Sequence, residues 1–297
     1  DGESSQKLFP DDSLKSKRAA AAWELAEQKK LLDEQSRINT VSVSIEKWMT
    51  EVLDDRKERC AKKTYQEYKL AVDRFAKMSE SGGDMQMAKL RYSRAYKMRP
   101  KEVAPLAGIG RTSFAIGDFD VAAQAYNKLV HLKPNEGKAR RDYGKSLIRI
   151  GKADIAVGQY EAALQINPKD FDAYNGLGVA LNILGRHKDA ENNYLNGLEL
   201  APDQLPLRNN LALSLALGGN YNEAIGILKQ IIADRAATPT NRFNLALVYG
   251  LAGQDDNAAA LSKRDLKASQ IQNNLSLYKE LRSLSSKERA ARIFGIK

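Results

Sequence analysis

The sequence predicts an all-α protein, a stack of helical hairpins wound into a solenoid with helices before and after it. Three observations carry this. Pro100, Pro134, Pro168 and Pro202 stand 34 residues apart in the phrases KMRPKE, HLKPNE, QINPKD and ELAPDQ. Counted from residue 103, small residues and tyrosine recur at fixed places in each 34-residue unit. With 8 Pro and 20 Gly among 297 residues, and aromatics at 7%, the chain has too few turn-formers for an all-β sandwich.

The unit 103–136 carries Gly110, Gly117, Ala122, Tyr126 and Pro134 at places 8, 15, 20, 24 and 32. The next carries Gly144, Gly151, Ala156, Tyr160 and Pro168, and the third Gly178, Gly185, Ala190, Tyr194 and Pro202. Unit 69–102 keeps Ala76, Gly83, Ala88, Tyr92 and Pro100. Unit 205–238 keeps Ala212, Gly219 and Ala224, with Leu228 and Ala236 in place of aromatic and proline. Unit 239–272 keeps Ala246, Tyr249, Gly253 and Ala258 before the pattern degrades.

Each place has a physical role. Small residues at 8 and 20 let the two helices of a unit approach closely. Glycine at 15 takes the left-handed conformation that ends the first helix. Proline at 32 stops the second helix, while Pro105, Pro206 and Pro239 fall in the first turn of a helix, where the missing N–H costs nothing. A 34-residue period of this kind is the signature of tetratricopeptide repeats, which stack into a right-handed α-solenoid with a concave groove.

The flanks read as follows. Residues 1–12 form a polar tether, and 13–68 a helical arm of two segments, broken at NTVSVS and carrying both tryptophans, Trp23 and Trp48. Two large aromatics in one arm predict packing onto the solenoid. Residues 273–297 read as a capping helix, NNLSLYKELRSL, followed by a basic tail.

Catalytic and metal chemistry find no foothold in the sequence. His131 and His187 occupy separate turns and read as surface residues. Cys60 is the sole cysteine, which excludes an internal disulfide and any multi-cysteine metal site. No phosphate-binding glycine loop is present, since GLGVALNILG at 176–185 is glycine in repeat register. The sequence therefore predicts a non-enzymatic binding protein without cofactor or metal. The net charge of +10 is concentrated in residues 69–170, with 19 basic against 11 acidic residues. The charge is spread over one region rather than a long stripe, and the cations expected in the groove have no aromatics interleaved among them for base stacking, so protein is a better expected partner than nucleic acid.

The resemblance to tetratricopeptide proteins implies that places 2, 5, 9, 12 and 13 of each first helix line the groove. Carried onto this sequence, the expected partner-binding residues are Arg111 and Phe114, then Lys138, Arg141, Lys145 and Arg149, then Asn175, Val179 and Asn182, then Asn209, Leu213 and Phe243. The groove is expected to be basic at one end, for acidic groups, and to carry asparagines and apolar residues at the other. Asparagines there would grip the backbone and the apolar residues the side chains of an extended peptide. The order of Arg111, Arg141 and Asn175 departs from that of chaperone-type carboxylate clamps.

The phrases NNLALSLALGGNYNEA, RFNLALVYGLAGQDDNA and RDLKASQIQNNLSLYKELR, between residues 205 and 284, resemble the tetratricopeptide lipoproteins of tight-adherence (Flp, type IV) pilus assembly. That resemblance implies a pilotin-like scaffold in the bacterial periplasm. It would be associated with the outer membrane through an acylated N-terminal cysteine upstream of Asp1 and would help the pilus secretin to localise or assemble. The alternative is a soluble co-chaperone or adaptor for acidic peptides.

Overall fold

A computed structural model describes residues 83–98, 100, 102–234 and 237–296. The chain divides into two compact units, residues 1–69 and 70–297, and everything described belongs to the second. The tether at 1–12, the arm at 13–68, its tryptophans and Cys60 lie outside the described residues.

The described residues form helices α1 (Met85–Met98), α2 (Val103–Ala115), α3 (Phe119–Leu132), α4 (Gly137–Arg149), α5 (Ala153–Ile166), α6 (Phe171–Ile183) and α7 (His187–Leu200). Then follow α8 (Leu205–Leu217), α9 (Tyr221–Ala233), α10 (Pro239–Leu251), α11 (Asp255–Ser262), α12 (Ala268–Ser283) and α13 (Ser286–Ile293). No strand occurs among them. The even-numbered helices α2 to α10 are first helices of successive units, and α1 to α11, odd-numbered, are second helices. Each hairpin turns at the glycine of place 15: Gly83, Gly117, Gly151, Gly185, Gly219 and Gly253 all have φ between 76° and 89°. A side chain with a Cβ would be strained there, which is why the hairpin period is written in glycine.

The core is organised by the tyrosines of place 24. A methyl added at Gly144 would lie 2.8 Å from the Tyr160 ring, and one added at Gly176 only 2.2 Å from it. Tyr160 is thus a wedge between the first helix of its own unit and that of the next, fully buried. Tyr126 against Gly110 and Tyr194 against Gly178, both at 2.5 Å, repeat the first of these contacts. Tyr92 against Gly108, also at 2.5 Å, repeats the second. One apolar cluster runs through α4 to α12 and another from α1 to Ala139 of α4, with Tyr143 packed against both.

Unit 239–272 departs from the pattern for a visible reason. Its place 24 is Ser262, too small to fill the tyrosine slot, and α11 ends there after 8 residues. Tyr278 of α12 packs instead on Gly250, where an added methyl would meet its ring at 2.2 Å. The capping helix therefore starts at Ala268, five residues earlier than the sequence suggests. The expected tail is a further helix, α13, opened by a capping box in which Ser285 accepts from Glu288 N and Glu288 accepts from Ser285 N.

Candidate functional site: the face of the first helices

First helices contact their counterparts in the next unit, α2 with α4, α4 with α6, α6 with α8 and α8 with α10. Second helices make their principal contacts with first helices instead. A stack whose first-helix row is the tighter one curves toward that row, which makes the first-helix face the concave one.

The expected groove residues fall into two groups. Arg111, Lys138, Lys145 and Arg149 are exposed on α2 and α4. Arg149 stacks over the Phe119 ring at 4.4 Å, Arg111 over that of Tyr92 at 6.0 Å, and Lys138 pairs with Asp142 at 2.8 Å. Phe114, half-buried, packs edge-on against Phe119 with ring centroids 5.2 Å apart. Asn175 and Val179 are half-buried, as is Phe243. Phe243 lines a shallow pocket of about 230 Å³ with Leu266, Gln270, Asn273 and Asn274.

The others are consumed by the fold. Arg141 is ion-paired with Asp170 at 2.5 Å and Asp172 at 3.4 Å, across the junction to the next unit, and its Nε is buried without an acceptor. Asp170 also caps α6 by accepting from Ala173 N. Asn209 donates to Leu205 O at 2.9 Å and accepts from Asn244 at 3.0 Å, which spends both halves of its amide. Asn175 accepts from Asn210 at 2.9 Å in the same register, one unit earlier. These amide pairs join place 5 of one unit to place 6 of the next, so the asparagines bind repeat to repeat. Leu213 is buried. Asn182 does not line the groove, because it is fully buried. Its amide donates to the Tyr194 hydroxyl at 3.2 Å, while its oxygen accepts from Ser214 at 2.9 Å and meets His187 Nδ1 at 2.8 Å.

His187 also departs from expectation, being a half-buried link in a polar chain. Its Nε2 contacts the Ser286 hydroxyl of α13, whose oxygen lies 3.1 Å from Leu217 O. Burial lowers its pKa below the usual imidazole value, the Arg289 charge adds to that, and Glu191 opposes it. The Ser-x-x-Glu of SSKE before the apolar AARIF signals the start of α13 but not its contact with His187. His131, by contrast, is exposed, with Nδ1 2.8 Å from Asn127 O. No group of three or more His, Cys, Asp or Glu side chains among the described residues is placed to hold a metal ion.

The tetratricopeptide repeat family profile matches residues 142–204, the two units with the most regular tyrosine wedges. The fold is a tetratricopeptide-repeat solenoid. It is similar to a tetratricopeptide repeat protein from Parabacteroides merdae, with a TM-score of 0.61 at 18% identity over 86% of this chain and 98% of that one. It is also similar to Pseudomonas aeruginosa PilF, with a TM-score of 0.56 at 15% identity over 72% of this chain and 98% of that one. For a structure of MamA the values are 0.51 and 23%, over 56% of this chain and 90% of that one. At these identities the likeness of the solenoids is one of fold. No curated protein matches the sequence.

Proposed function

We propose that this tetratricopeptide-repeat protein is a non-catalytic scaffold that holds an extended segment of a partner protein on its first-helix face, and that the partner is the secretin of a tight-adherence pilus machine. The observation that carries the binding reading is the order of chemistry along that face. Exposed cations on α2 and α4 come first, then the half-buried amide of Asn175, then the apolar wall of Phe243 and Leu266 beside Gln270, Asn273 and Asn274. A segment with carboxylates toward one end and apolar side chains toward the other complements it, with the Asn273 and Asn274 amides of the pocket offered to its peptide bonds. The pilus reading is supported by the sequence phrases of α8 to α12. It carries with it a periplasmic, outer-membrane-associated location through a lipid anchor upstream of Asp1. Among the described residues no helix is long and apolar enough to cross a membrane.

The test is the dissociation constant of the purified periplasmic segment of the secretin at two ionic strengths. Lys145→Glu with Arg149→Glu should weaken binding steeply at low salt and much less at high salt, since exposed charges are screened. Phe243→Ala should weaken it equally at both. Equal affinities for all three proteins would place the partner off this face. The exposed cations also favour a second reading, an adaptor for acidic peptides. That reading is preferred if such peptides bind with the same salt dependence and the secretin segment does not bind.

A further inference from the structure

The last thirteen residues carry an arrangement that the groove reading does not use. Helix α13 packs on α6 and α8, the first helices of two successive units. Its Ser286 sits between His187 and the carbonyl of Leu217, which closes α8. Lys287 Cβ lies 3.6 Å from where a Cβ on Gly185 would stand, and Ile296 Cγ2 lies 4.0 Å from that of Gly151. Gly117, Gly219 and Gly253, the matching turn residues of other units, have nothing within 4 Å. The segment thus runs backwards over the stack, crossing from the hairpin turn of unit 171–204 to that of unit 137–170 in nine residues.

Arg289 ties α13 to the end of α12, donating to Leu281 O at 2.8 Å, Arg282 O at 3.3 Å and Leu284 O at 3.1 Å, whereas its attachment to α6 and α8 is only partly buried. Ala290 is buried, but Ile293, Phe294 and Ile296 are half-buried, and Lys287, Glu288 and Arg292 face solvent. The three apolar side chains join the same cluster as Ile150 and Leu184, at the C-terminal ends of α4 and α6. Leu284 and Ser285, between α12 and α13, have extended backbone with ψ of 152° and 156°, a two-residue break in the helix that the Arg289 hydrogen bonds span. A helix of 8 residues does not persist alone in water, so undocking and unfolding of α13 are a single equilibrium, separable from the rest of the stack.

We infer that α13 is an internal ligand, an amphipathic helix docked in cis on the first-helix ends of units 137–170 to 205–238. It keeps that strip from a partner helix of the same pattern, apolar on one face and N-capped by serine. The tether gives the cis helix a high effective concentration, so a partner must outcompete it, and loosening α13 raises the apparent affinity for the partner. The inference goes beyond the groove reading, since the contacts of α13 lie at the hairpin-turn edge of the stack, on Gly151, Gly185, His187 and Leu217. Its test uses the chain's own segment as probe, so it stands or falls separately from secretin binding.

A fluorescent peptide of residues 284–297 is titrated in trans against the full chain. In a Cys60→Ser background, Gly185→Cys with Lys287→Cys places two thiols at a Cβ separation of about 3.6 Å, within disulfide reach. Oxidised and reduced forms of this one protein share whatever strain the Gly185 substitution introduces. The oxidised form, with α13 locked down, should bind the peptide at least tenfold more weakly than the reduced form. Ala290→Glu, which puts a charge at the buried position, and Phe294→Ser, which leaves Ser286–Ile293 unchanged and removes the apolar contact at its C-cap, should each bind it at least tenfold more tightly than the unmodified chain. Equal binding by the oxidised and reduced forms, or no binding by either single variant, would overturn the inference. So would hydrogen exchange of residues 287–293 as slow as that of α6, because α13 would then open only with the whole solenoid.

Discussion

Ser214 donates to Asn182 across the junction between two units, at 2.9 Å and with both side chains out of solvent. The same carboxamide serves Tyr194 and His187, so one asparagine joins two buried hydroxyls and a half-buried imidazole from α7 and α8. Asn182→Ala takes away the partner of the Tyr194 hydroxyl and of His187 Nδ1, while Ser214 keeps its contact with His187 O at 3.1 Å. Each buried unsatisfied group costs about 1–3 kcal/mol, so a loss of about 3 kcal/mol in urea unfolding is expected. Unchanged stability would mean the amide faces solvent and is available to a ligand after all.

The tyrosine wedge makes an opposite kind of demand, for absence of a side chain. Gly176→Ala drives a methyl to 2.2 Å from the Tyr160 ring, and a ring packed on both sides cannot give way by that much. Overpacking of a full core typically costs about 1–3 kcal/mol, and this substitution should sit at the upper end. Tyr160→Leu, itself destabilising, should make Gly176→Ala nearly neutral in its background. That non-additivity, read from a double-mutant cycle, identifies the ring as the source of the penalty.

The repeat was legible because its rules are local. A left-handed turn every 34 residues is written as glycine, and a ring that needs two flat neighbours is written as tyrosine with glycine at places 8 and 6. The groove was less legible because place in the repeat fixes direction but not partner. Arg141 occupies a groove place, yet its charge is claimed by Asp170 at the end of its own unit and by Asp172 of the next. Asn182 occupies another, but Ser214 and Tyr194 turn it inward. The fold-back of α13 brings together residues far apart in sequence, Ser286 with His187 across 99 positions among them. Periodicity carries no information about such a pairing. Its local half, the Ser285–Glu288 capping box, was readable; its docking place was not.

His187 makes the protein sensitive to mild acid. Its pKa in the folded chain is lowered, first by burial and then by Arg289, with Glu191 only partly offsetting them. A histidine in the unfolded chain titrates near 6.5. As pH falls through that value the unfolded chain binds a proton that the folded chain still refuses, so stability falls until the lower folded pKa is passed. Urea midpoints should be flat above about pH 7.5 and decline between about pH 7 and 5. His187→Gln, which cannot titrate, should remove most of that slope. A midpoint that rose on acidification would reverse the sign and place a stabilised imidazolium against Ser286.

Two glycines sit inside helices with nothing to explain them by packing. Gly158 in α5 and Gly226 in α9 are exposed, both lack positive φ, and a Cβ on either meets no atom within 4 Å. Glycine in a helix interior costs about 1 kcal/mol relative to alanine, through backbone entropy that the unfolded chain gains and the folded chain loses. Gly158→Ala and Gly226→Ala should therefore each stabilise by about 0.5–1 kcal/mol. They lie on second helices two units apart with no shared neighbour, so the effects should add in the double variant. Urea unfolding followed by circular dichroism reads both the size and the additivity. A loss of stability at either position would show that another surface rests on that helix closely enough to exclude a methyl group.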